Sequence, residues 1–278
     1  METPPTSAAR LAGHVRPWLA GASGWVAVYA ALVAAWIAVW LMDPRADLPP
    51  EMRALGFDAL AALCLAAAED ASFPGLWAMW AVMGAAMMLP TAIPALRAFD
   101  QLTATVAARG GATAFALPAL AAGFVTVWAG FAVVAAGAQV ALTHAGWLDI
   151  DRGVVNAPGV AGALMIVAGA YQFSALKEAC VSRCRMPMPF FIAAWRPGAG
   201  AAYAMGLRLG ADCLGCCWAL MLLAFVGGTT NLMFMGGATI LMMLEKLPRL
   251  GRPLTRPVGF ALISAGIGLA ALAILQSG

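Results

Sequence analysis

Long apolar runs separated by short polar stretches organise this chain. The runs fall at about 24–42, 73–96, 112–141, 157–176, 206–226, 230–246 and 257–275. Each approaches the ~20 residues that a helix needs to cross ~30 Å of hydrocarbon. None alternates with the two-residue period of a barrel strand, and in lipid each backbone group must be satisfied internally. The pattern predicts an all-α transmembrane helix bundle of about seven spans. The run at 112–141 exceeds the bilayer, so it should tilt or protrude. An eighth stretch, 54–68, is shorter, starts after Arg53 and ends at Glu69-Asp70. It predicts an interfacial helix on the outer surface. Residues 1–23 read as a cytoplasmic leader, and 24–278 as one transmembrane domain. The first run is too long for a signal-peptide core and lacks a clear cleavage site.

Composition agrees. Of 278 residues, 63% are hydrophobic and 10% charged, with a mean hydropathy of +0.86, whereas soluble domains are nearer half apolar and a quarter charged. Charge then sets orientation, since Lys and Arg stay on the cytoplasmic side of short loops. With the N-terminus inside, the inner segments hold 13 of the 16 basic residues, leaving Arg45, Arg53 and Arg152 outside. Seven spans with the C-terminus outside satisfy every loop, and a span at 54–68 would invert all later ones. The net charge of +3 is thus a topology signal, and the chain is not expected to bind nucleic acid.

Glycines mark helix contacts. Gly123, Gly130 and Gly137 recur every seven residues, as do Gly162 and Gly169, and Gly206 and Gly210 form a small-xxx-small pair. Such stripes let backbones approach where lipid gives no hydrophobic drive for association.

The candidate chemistry is sulfur. In "GADCLGCCWALM", Cys213, Cys216 and Cys217 crowd into five positions, and Gly206, Gly210, Cys213, Cys217 and Met221 trace one helical stripe. Cys180 and Cys184 sit one turn apart where the fourth run ends. Met79, Met83 and Met87 stack on the second run before Pro90 and Pro94, which break the ladder near its inner end. Asn231, Met235, Met242 and Glu245 share a face of the sixth. Three readings stay open. Buried cysteine can be a small hydrophobe. Cys213 and Cys216 have redox-motif spacing, against which stands a reducing cytoplasm. Thiolates and thioethers together select Cu(I). Arg208 and Asp212 are spaced to pair at i, i+4. With two histidines in the chain, His14 and His144, a bis-histidine haem is excluded. No P-loop, Gly-x-Ser-x-Gly elbow or nucleophile triad is present.

Three blocks resemble a bacterial family of predicted metal-binding integral membrane proteins, a domain of unknown function. They are "MWAVMGAAMMLPTAIP" at 79–94, "YQFSALKEACVSRCRMP" at 171–187, and 206–247, which opens "GLRLGADCLGCCW". In that family a histidine commonly stands where this chain has Leu209, a tyrosine at Asp212 and a methionine at Thr230. The resemblance and the sulfur pattern together suggest a bacterial inner-membrane protein that binds Cu(I) for transport or delivery. Met79, Met83, Met87, Met235 and Met242 would form a path, and Cys180, Cys184, Cys213, Cys216 and Cys217 an inner site. Expected partners are the bilayer, other membrane subunits or a soluble metal-handling protein. Two alternatives are a non-catalytic accessory subunit of a membrane complex and a quinone-linked thiol oxidoreductase.

Overall fold

The computed structural model describes residues 7–43, 50–51, 62, 72–108, 115–149 and 153–277. In chain order its elements are α1 (Ser7–Leu41), α2 (Phe73–Ala108), α3 (Ala116–His144), a hairpin of β1 (Leu148–Asp149) and β2 (Val154–Val155), α4 (Pro158–Tyr171), α5 (Ala175–Arg185), α6 (Pro187–Ala194), α7 (Ala199–Met221), α8 (Ala224–Gly227), α9 (Leu232–Glu245) and α10 (Gly251–Ser277). The all-α membrane bundle is as the apolar runs predict.

Among the described residues five stretches are long and apolar enough to cross a membrane: Gly24–Leu41, Phe73–Ala108, Ala116–His144, Ala199–Gly227 and Gly251–Leu275. A sixth is added if α4 and α5, bent 64° from one another, make one broken span. The bend has a local cause: the Ser174 hydroxyl caps a new helix by accepting from the Lys177 amide at 3.1 Å. The run at 230–246 becomes α9, whose 14 residues reach only about 21 Å. That is short of the hydrocarbon thickness. The interfacial helix expected at 54–68 lies outside the described residues, apart from position 62.

α2 is longer than the apolar run that predicts it. It continues through Pro90 and Pro94 to Ala108. Each proline removes one backbone donor, but packing against neighbouring helices carries such a helix onward. Here α3 and α9 both pack on α2, and Met79, Met83, Met87 and Met88 are buried along it.

The remaining pairs are set by glycine, though not by every glycine in the stripes. α3 crosses α7 where a Cβ on Gly206 would strike the Leu120 carbonyl and come within 3.1 Å of the Gly123 Cα. α4 lies along α10, with Gly162 against Gly266 and Gly169 against Gly259. At Gly130 and Gly137 an added methyl would meet nothing within 4 Å. The seven-residue repeat on α3 therefore overstates that contact: Gly130 is exposed, and it is Val127 that meets Gly210.

The two ends of the bundle differ in character. α1 and α2 run antiparallel: the Trp25 indole donates to Asp100 at 3.1 Å, and Arg97 donates to the Tyr29 hydroxyl at 2.6 Å. Leu41 and Phe73 therefore share one end. Asp43 accepts from the Leu232 amide there at 3.4 Å, and Gly153 of the hairpin packs against Thr229. At the opposite end lie Lys177, Arg183, Arg185 and Arg252, joined by ion pairs.

Candidate metal centre

The thiols meet where α7, α5, α2 and the C-terminal end of α9 converge. Cys213, Cys216 and Cys217 are 2%, 2% and 1% exposed, so no sulfur in this group faces open solvent directly. Helical spacing brings all three to one patch of α7. The Cys216 and Cys217 thiols both donate to the Cys213 carbonyl, at 3.0 and 2.9 Å. From α5, Cys184 lies near enough to Cys216 for the two side chains to interact. All five described cysteines are free thiols.

A thioether completes the patch. Met88 Sδ lies 3.8 Å from Cys213 Sγ and 3.8 Å from Cys217 Sγ. Lys246 closes it from the side: its ammonium donates to Cys213 Sγ at 3.2 Å and to Thr91 Oγ1 at 2.9 Å. Thr91 also donates to the Met88 carbonyl at 2.9 Å, which ties the Lys246 contact to the same turn of α2.

A cavity of about 460 Å³ leads to this cluster and is lined by Pro90, Thr91, Pro94, Cys184, Lys246 and Leu247, among others. Three of these residues touch the cluster or its lysine. Arg185 also lines the cavity, with its Nη2 buried and without a hydrogen-bond partner.

Charged side chains brace the helices around the sulfurs. Lys177 of α5 pairs with Glu245 of α9 at 2.7 Å, with side chains 1% and 3% exposed. Arg185 Nε donates to the Glu245 carbonyl at 2.9 Å and its Nη1 to Glu178 at 3.1 Å. Asp212 pairs with Arg183 at 2.8 Å. The i, i+4 partnership of Asp212 with Arg208 gives way to this link, which joins α7 to α5. Arg183 is itself 59% exposed, so the link ties the buried carboxylate to the rim of the bundle.

The expected site residues thus divide. Cys184, Cys213, Cys216 and Cys217 come together. Cys180 is buried but sits on another face of α7, its sulfur 2.7 Å from the position a Gly215 Cβ would take. Met79, Met83 and Met87 are buried on α2, and Met235 and Met242 on α9. Among the described residues, Met88 is the methionine whose sulfur accepts from the thiols. Met88, Lys246 and Thr91 were not among the expected ligands. A signal for Met88 existed in its place beside Pro90, and one for Lys246 in a lone cation closing an apolar helix. α4 stands apart from this convergence and lies chiefly along α10.

Among the described residues, no three His, Cys, Asp or Glu side chains stand grouped as a ready metal site. The donor set is soft and sulfur-only, which suits monovalent copper and not a hard divalent ion. None of the curated proteins compared matches the chain. No solved structure matches it either. A family described as PpoB2, copper chaperone, matches residues 77–269. That stretch contains α3 to α9, most of α2 and α10, and every side chain of the sulfur cluster. The chain therefore belongs to the PpoB2 copper chaperone family.

Proposed function

We propose that this is a membrane copper chaperone that holds Cu(I) as cargo at Cys213, Cys217 and Met88 and hands it on at the basic end of the bundle. The carrying observation is the convergence of two thiols on one thioether, each 3.8 Å away, with Lys246 at 3.2 Å from Cys213. Two thiolates around one Cu(I) carry a net single negative charge. Burying an uncompensated charge is costly, and the Lys246 ammonium is placed to offset it. The positive-inside bias supports a cytoplasmic location for this end and the inner membrane of a bacterium for the protein.

The cavity supports an entry route. Cys184 reaches both the cavity and Cys216, so it can receive the ion first. Transfer is then ligand exchange: a new copper–sulfur bond forms as the donor's bond breaks, and the accepting thiol releases its proton. No change in copper oxidation state is needed. The thiols are not yet grouped for a metal, so the donors close around the ion as it arrives.

The test is copper stoichiometry of detergent-purified protein, prepared reduced and supplied with Cu(I). The parent should retain the metal. The paired change Cys213→Ser with Cys217→Ser should abolish stoichiometric retention while the helical circular-dichroism signal persists. A parent protein that retains no Cu(I) would overturn the reading.

A further inference from the structure

A second cavity, of about 490 Å³, opens where α4 bends into α5 beside the start of α10. Its polar lining is Gln172, Ser174, Glu178, Arg252, Thr255 and Arg256. Gln172 is only 4% exposed, yet neither its amide nitrogen nor its amide oxygen has a hydrogen-bond partner. Buried amides are normally satisfied, so this one calls for an occupant that both accepts and donates.

The charge around it is positive in effect. Glu178 is held by Arg185 at 3.1 Å, and its contact with Arg252 is long, at 3.8 Å. Arg256 has no ion pair among the described residues. Both arginines are exposed at the basic end. Beside them Phe173 and Phe260, 43% and 63% exposed, meet edge-on with centroids 5.0 Å apart. They form an apolar wall facing where lipid chains would lie.

We propose that this cavity binds a phosphate bearing a neighbouring hydroxyl, supplied by the phosphoglycerol headgroup of an anionic lipid. Arg252 and Arg256 would take the phosphate oxygens and the Gln172 amide nitrogen would donate to one of them. The Gln172 oxygen would accept from the headgroup hydroxyl, and the acyl chains would run along Phe173 and Phe260. Guanidinium groups match phosphate geometry well, and basic residues at the membrane surface recruit anionic lipid. This site is separate from the copper cluster and does not depend on that reading.

Native mass spectrometry of the full chain in mild detergent tests it, with phosphatidylglycerol, phosphatidylcholine or inorganic phosphate added singly. The parent should retain phosphatidylglycerol over phosphatidylcholine. The exposed pair Arg252→Gln with Arg256→Gln should lower that retention about 30-fold. A second variant, Gln172→Leu, should lower phosphatidylglycerol retention without affecting phosphatidylcholine. Equal retention of the two lipids, or an arginine variant that binds phosphatidylglycerol like the parent, would overturn the proposal. Arginine-dependent displacement of the lipid by millimolar inorganic phosphate would assign the site to free phosphate and overturn the lipid source.

Discussion

Replacing Glu245 by Gln keeps the side chain's size and removes its charge. Lys177, 1% exposed and 2.7 Å away, is then left as a buried cation with only a neutral amide beside it. Breaking a buried pair from one side costs about 3–5 kcal/mol. At about 2–4 °C per kcal/mol for chains of this order, the melting temperature should fall by about 6–20 °C. The buried thiols supply the assay. A maleimide fluorophore that lights on reaction with cysteine reports the temperature at which Cys213, Cys216 and Cys217 become accessible in detergent. The companion variant Lys177→Met with Glu245→Leu removes both charges and fills the space with apolar atoms. It should recover most of the loss, because a buried pair is often replaceable by packing residues at little cost. A Glu245→Gln protein that melts within about 2 °C of the parent, less than 1 kcal/mol is worth, would refute the argument. So would a double variant as unstable as the single, since the loss would then be one of packing and not of charge.

The same reasoning extends to the copper cluster and the helix crossings. Met88→Leu conserves volume, so stability should change by less than about 1.5 kcal/mol, while copper retention measured by competition with a Cu(I) chelator weakens about tenfold, the low end of metal-shell effects. Lys246→Met should lower copper retention by a similar factor and Lys246→Arg should restore part of it, read in the same competition. Brief alkylation followed by peptide mass mapping should modify Cys184 before Cys213 or Cys217, because Cys184 alone of these lines the cavity. Gly206→Ala should destabilise by about 1–3 kcal/mol, since the new methyl meets backbone, whereas Gly130→Ala should be neutral or stabilising by about 0.5–1 kcal/mol; paired thermal melts decide.

The bundle was legible because apolar runs are long and charges sort between them, both of which are one-dimensional signals. The glycine contacts were half legible: Gly206 and Gly210 do meet α3, but Gly130 cannot be told from Gly123 without knowing which positions of α3 face α7. The thiol patch was legible from spacing within α7. Its partners were not. Met87 and Met88 are neighbours in sequence yet point about 100° apart on a helix, and only the approach of α2 to α7 selects Met88. Arg208 offered Asp212 a local partner, and a distant arginine on α5 took it. Lys246 looked like a boundary charge because its partner sulfur is 33 residues away.

The carbonyl of Cys213 receives two thiol hydrogen bonds besides its place in the helix ladder. One of them, from Cys217, depends on a proton that copper must displace when it takes that sulfur. Loading Cys217 therefore strips one donor from that oxygen and leaves the Cys216 thiol in place. The carbonyl stretch therefore stiffens as metal enters. With carbon-13 placed in the cysteine backbone, occupancy becomes readable as an upward-moving infrared band, with no chelator, dye or substituted side chain in the bilayer.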